Sequence, residues 1–143
     1  MSVFFENAWR DLRRSVIGRR VSPPADAADR LERAFPGEDA HEIPVYEYAA
    51  FLYWFEIIAR RKIAALTLWG RVFLRGSAER YWRDTPLLLE ECFHVLRQWR
   101  PGILTVRAYL AESARHAIAG RDAYSDNRFE REAKAFVTAA KSR

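Results

Sequence analysis

The stretch VYEYAAFLYWFEIIARRKIAALTLWGRVFLR, residues 45–75, decides the fold, and it contains no proline. Leu52, Phe55, Ala59, Ile63, Leu66 and Phe73 follow one helical face, with Glu56, Arg60, Thr67 and Arg71 as a narrow polar stripe on the other side. This pattern predicts the longest helix of the chain. It starts after Pro44 and either runs to about Arg75 or divides near Ala59-Arg60-Arg61-Lys62. Gly70 costs about 1 kcal/mol in a helix interior and marks a second candidate break. The five residues RVFLR (71–75) carry too little periodicity to separate helix from strand. A helix apolar over most of its circumference is buried on several sides, so 48–59 is read as the centre of a bundle, with Glu56 and Arg60 paired at i, i+4.

Helical patterns continue on both sides of this segment. Phe5, Ala8, Trp9, Leu12 and Val16 share a face near the N-terminus, with Arg10, Arg13, Arg14 and Arg20 largely opposite. Ser22 is placed to cap a helix opened by Pro23, with Asp26 and Asp29 in its first turn, and Pro36-Gly37 ends it. Ser77 caps a short turn through Trp82. Thr85-Pro86 starts a helix striped by Leu89, Cys92, Leu96 and Trp99, which Arg100-Pro101-Gly102 stops. Ile103, Val106, Leu110, Ala114 and Ala117 stripe another as far as Gly120. Asn127 with Glu130 reads as a capping box for a last helix striped by Phe129, Ala133, Phe136 and Ala140. With no repeat and no linker, the expectation is one all-α domain over residues 1–143: a bundle of six or seven helices around a long central one.

Composition narrows the class. A chain of 143 residues that is half apolar and 14% aromatic supports a folded core. The apolar runs 48–55 and 63–70 are cut apart by Glu56, Arg60, Arg61 and Lys62, so no transmembrane segment is expected. The start MSVFFENAWRDLRR puts apolar residues before arginines and mixes acids among them, the reverse of a signal peptide. One cysteine forms no internal disulfide, and a reduced, cytoplasmic setting is expected.

Catalytic motifs are sparse. There is no G-x-S-x-G, Walker loop or G-x-G-x-x-G. Glu91-Cys92-Phe93-His94 supplies one E-x-x-H, the spacing of di-iron bundles, but such a site needs a second copy and two further glutamates. Glu112 and His116 stand four apart instead. The expectation is an exposed Glu–His pair at 91 and 94, a core Cys92, no metal, no cofactor and no enzymatic activity. The outline of a helix-turn-helix around Pro101-Gly102 fails because Ile103-Leu104-Thr105-Val106 offers no polar first turn.

Charge is the remaining signal. Residues 22–56 carry two arginines against eight acids, whereas 57–83 carry seven basic residues against Glu79 alone. Arg60, Arg61, Lys62, Arg71 and Arg75, joined by Arg10, Arg13, Arg14 and Arg20, form a candidate track for a DNA or RNA backbone, with Trp69, Tyr81 and Trp82 available for base stacking. The functional expectation is a small basic subunit of a nucleoprotein assembly. Its alternatives are an adaptor, accessory subunit or inhibitor that meets an acidic protein surface within a hetero-complex, and a peripheral membrane protein using 60–75 as a basic amphipathic helix.

Overall fold

Residues 45–75 do not form one helix, and the fold is mixed rather than all-α. The computed structural model describes residues 2–142, with side chains from Glu6 onward. Helix α1 (Ser2–Ile17) leads into strand β1 (Arg19–Val21) and helix α2 (Ala25–Ala34). A 3-10 turn (Ala40–Glu42) precedes β2 (Val45–Glu47). Then come α3 (Leu52–Ala59), β3 (Ala65–Leu68), β4 (Arg71–Leu74), α4 (Ala78–Arg83) and α5 (Thr85–Phe93). A π-helical turn (His94–Trp99), α6 (Val106–Ile118) and α7 (Arg128–Lys141) complete the chain. The central segment thus contributes one short helix and three strands to a four-stranded sheet of order β1-β2-β4-β3.

The helical periodicity of 63–75 has a geometric explanation. Strands β3 and β4 pair antiparallel, Ala65 with Leu74, Leu66 with Phe73, Thr67 with Val72 and Leu68 with Arg71. Residues facing each other across such a hairpin are separated by three, five, seven or nine positions, and separations of three and seven are also helical ones. Leu66 and Phe73 are therefore cross-strand neighbours on one sheet face, not residues two turns apart. The turn between them is the two-residue pair Trp69-Gly70, with φ of 51° and 69°. This is the doubly left-handed geometry that matches strand twist, so Gly70 works as a turn residue where a helix would only be weakened. Upstream, α3 closes where Arg60 enters the left-handed region at φ 52°.

β2 runs parallel to β4 and antiparallel to β1. One sheet face carries Val45, Val72 and Leu74 into the main core with Ala27, Leu31 and Phe35 of the α2 region, Leu88, Leu89 and Cys92 of α5, and Val137 of α7. The other face carries Phe73 with Tyr46, Leu66 and Leu68 into a smaller cluster under Leu52, Phe51 and Ile17. Among the described residues no helix is long and apolar enough to cross a membrane.

A buried carboxylate on β2 ties together β1 and the start of α4. Glu47 accepts from Arg19 Nε at 2.9 Å across the β1–β2 pair and from the Ala78 amide at 2.9 Å, where α4 begins. Gly18 makes this possible: at φ 94° it lies against the Glu47 carbonyl, where a Cβ would overlap the oxygen. Burial opposes the charge of Glu47, but the Ala78 amide and Arg19 hold its carboxyl below the ordinary carboxylate value. Being depressed, this group stabilises the fold above its unfolded pKa and loses that contribution as pH falls through its lowered folded value. Glu47→Ala should cost about 1–3 kcal/mol near neutral pH, because the Ala78 amide is left without its acceptor. Urea unfolding at a series of pH values should show the gap to wild type narrowing on the acid side.

Candidate functional site

Helix α5 opens with the Asp84 side chain accepting from the Leu87 amide at 3.1 Å and with Pro86 in its first turn. Leu88, Leu89, Cys92, Val95 and Leu96 take the face against the main core. Glu90, Glu91 and His94 are left for its other sides. After Phe93 the helix widens into the π-helical turn, with Arg100 N–H donating to Val95 O at 3.0 Å. Such insertions re-aim side chains and recur at functional sites. Here the turn carries Gln98, which is buried beside His94.

The orientation of His94 follows from Gln98. The Gln98 amide nitrogen donates to Phe129 O at 3.1 Å and to Glu132 Oε2 at 3.1 Å. Its oxygen therefore faces His94 Nδ1, at 2.6 Å, and accepts that proton. The other ring nitrogen is aimed at carboxylates: His94 Nε2 lies 3.6 Å from Glu130 Oε2 on α7. Donor atoms of Glu90, His94 and Glu130 all fall within 4.8 Å of one another. Glu130 also accepts from the Tyr109 hydroxyl of α6 at 2.8 Å. Asn127 secures the α6–α7 junction, capping the Phe129 amide at 3.0 Å and donating to Ser113 Oγ at 2.9 Å. Glu91 points to the sheet side, where the Thr67 hydroxyl of β3 donates to its Oε2.

Two carboxylates, half-buried Glu90 and buried Glu130, thus flank one buried imidazole, and a third, Glu91, is buried on the sheet side of the same helix. Burial drives Glu91 up to about 7 and pushes Glu90 up as well. Burial alone would lower His94, but Glu130, Glu91 and Gln98 outweigh it and raise the imidazole to about 9. Glu130 is held below the ordinary carboxylate value because His94 and the Tyr109 hydroxyl outweigh its burial. The cluster carries more negative than positive groups, the arrangement that a bound cation neutralises.

The geometry suits such an ion. Glu90 and His94 stand at i, i+4 on one helix face, the third donor comes from a different helix, and Gln98 holds the far nitrogen of the imidazole. Ligands on a tetrahedral zinc ion with bonds near 2.0–2.1 Å are roughly 3.3–3.4 Å apart, close to the His94–Glu130 separation.

The expected exposed Glu91–His94 pair is corrected by these positions. His94 is buried, and its helical carboxylate partner at metal-donor distance is Glu90, four residues back. Glu130 faces His94 and Tyr109 instead of closing a capping box on Asn127. Cys92 is a core residue beside the Tyr81 hydroxyl, and burial pushes its thiol up to about 12. The signal in the sequence is Glu90-Glu91-Cys92-Phe93-His94, which is the H-E-x-x-H pattern with glutamate at its first position.

The basic residues predicted to form a track belong to several elements. Arg10, Arg13 and Arg14 lie exposed on α1, Arg20 on β1, Arg60 and Lys62 after α3, and Arg71 at the start of β4. Arg13 and Arg71 line one groove. Arg75 pairs with Glu56 at 2.9 Å, so Glu56 does not pair with Arg60. Arg61 lies over the Tyr124 ring at 3.6 Å. Tyr81 and Trp82 are buried and unavailable for stacking, whereas Trp69 is exposed.

Comparison with protein-family models, with curated proteins and with solved structures finds no match for this chain. Stability measurements test the electrostatic account of the cluster. Glu130→Ala should cost about 3–5 kcal/mol in denaturant unfolding, because it strands a buried imidazolium. Glu91→Gln should be neutral or stabilising at pH 8, since it removes a carboxylate that burial disfavours.

Proposed function

We propose that this chain is a metal-dependent hydrolase acting on extended peptides. The single observation that carries the reading is the convergence of Glu90, His94 and Glu130 donor atoms within 4.8 Å in a buried, carboxylate-rich site. One imidazole and two carboxylates suit zinc with an open fourth position. A bound zinc ion supplies Lewis acidity and lowers the pKa of a coordinated water.

The chain's own residues take the remaining roles. Glu90, His94 and Glu130 would hold the ion, with His94 giving up its Nε2 proton to solvent on binding while Gln98 keeps Nδ1 protonated. Glu91, next to Glu90 on the same helix and outside the ligand set, would take a proton from the attacking water and return it to the leaving amine. Thr67 positions Glu91 and belongs to β3, an edge strand of the sheet. An extended peptide pairing with β3 would run beside Thr67, the residue bonded to Glu91. Two carboxylates in the ligand set cancel the charge of the ion, which weakens its Lewis acidity relative to a site with two imidazoles and one carboxylate.

Equilibrium dialysis of chelator-treated protein should find about one zinc per chain. His94→Ala and Glu130→Gln should each lower zinc affinity sharply. Glu91→Gln should keep zinc and lose about 10²–10⁴-fold in turnover of a fluorogenic extended peptide. Glu90→His should raise both affinity and turnover. Failure of the wild type to take up zinc, manganese or iron(II) refutes the metal site, and full activity of Glu91→Gln refutes the assigned base.

Binding to a nucleic-acid backbone is a second reading, supported by Arg13 and Arg71 on one groove with exposed Trp69. Titration with single- and double-stranded oligonucleotides should show affinity at low salt that falls steeply as salt rises, and that weakens in an Arg13→Ala, Arg71→Ala variant.

A further inference from the structure

We propose that the face formed by α1 and α3 docks this protein on an anionic lipid surface. The proposal is independent of the metal site and rests on what covers the second side of the sheet. Helix α3 buries Leu52 completely and turns the rest of its apolar surface outward. Trp54 is 70% exposed, Ile57 69% and Ile58 79%, with Tyr53 beside them. These residues fall on one arc of the helix, so they form a patch and not scattered singles. α1 adds Trp9, Leu12 and Val16, all exposed. The two helices meet where the Phe51 amide donates to Val16 O at 3.3 Å. Between them and the sheet runs a groove of about 420 Å³ lined by Val16, Phe51, Phe55 and Trp69, with Arg13 and Arg71 at its border.

Backbone strain borders the same face. Tyr48, Arg60 and Trp69 are the non-glycine residues with positive φ among those described, at 56°, 52° and 51°. Tyr48 and Arg60 flank α3, and Trp69 sits on the hairpin tip that closes the groove. Tyr48 and Trp69 are held exposed in conformations that bulky residues rarely adopt.

Charge selects the occupant. Arg13 and Arg71 line the groove, Arg60 and Lys62 follow the end of α3, and none of these four forms an ion pair among the described residues. The one acid of α3, Glu56, is occupied by Arg75. Tryptophan and tyrosine beside aliphatic side chains, with arginine and lysine around them, match the headgroup layer of an anionic bilayer, where rings sit at the interface and cations meet phosphate. A nucleic-acid backbone meets the cations and leaves Ile57 and Ile58 against water. A second copy covers the isoleucines but sets like charges against each other across an isologous contact. Lipid satisfies both requirements.

Vesicle co-sedimentation of the full chain tests this. Vesicles with about 30% phosphatidylserine at roughly 50 mM salt should pellet the protein, while neutral phosphatidylcholine vesicles or high salt should release it. Tryptophan emission should shift to the blue on binding. Trp54→Ser with Ile58→Ser, checked for folding by circular dichroism, should lower partitioning roughly tenfold or more. Arg60→Ala with Lys62→Ala should weaken binding to anionic vesicles and flatten its salt dependence. The proposal is overturned if the wild type stays in the supernatant with anionic vesicles, or if the folded Trp54→Ser, Ile58→Ser variant pellets like the wild type. Self-association that this variant abolishes, without vesicle binding, overturns it too and assigns the face to a second copy.

Discussion

One buried imidazole held between Gln98 and Glu130, with Glu90 beside it, is the constraint around which α5, α6 and α7 are organised. From His94 the helix widens into a π-turn that carries Gln98, whose oxygen lies against the far nitrogen of the imidazole. Glu130 reaches the near nitrogen from the first turn of α7, whose cap Asn127 is bonded back to α6. Tyr109 closes the ring from α6. Each contact is modest, but a buried polar network is stable only when all its members are satisfied. That requirement fixes how α5, α6 and α7 sit together.

The sheet divides the molecule into two unlike halves. Its first face meets α2, α4, α5 and α7 in a close-packed core and supports the polar cluster through Thr67 and Glu91. Among the described residues, the second face is covered by the beginning of α3, the end of α1 and a small cluster around Phe73. The hydrophobic effect has therefore buried one side and left the other with aromatic and aliphatic side chains in water. The buried polar cluster and the exposed apolar surface of α3 therefore lie on opposite sides of four short strands.

Much of the helical skeleton was legible. The N-terminal helix, the Thr85-Pro86 start, the Ser77 and Asn127 caps and the Gly120 stop rest on local chemistry, and each marks an observed element boundary to within a few residues. The central segment was not. A two-residue hairpin places its partners at odd spacings that overlap helical ones, so Leu66 and Phe73 satisfy both patterns. The site was half legible. Glu91 and His94 stood out by spacing, but Glu90 is the donor that accompanies His94, and Glu130 lies thirty-six residues further along, inside what reads as an ordinary capping box.

By itself the sequence determined where most helices start and stop, that the chain has a core, and that its charge is segregated, because capping, periodicity and composition act over a few residues. Tertiary structure decided that 45–75 folds as strands around a short helix, since only pairing with β1 at one edge and packing on α5 distinguishes a hairpin from a helix of similar pattern. It also decided that Glu90, His94 and Glu130 converge and that the α3 apolar surface faces outward. Burial and proximity are properties of distant segments meeting, and no local spacing encodes them.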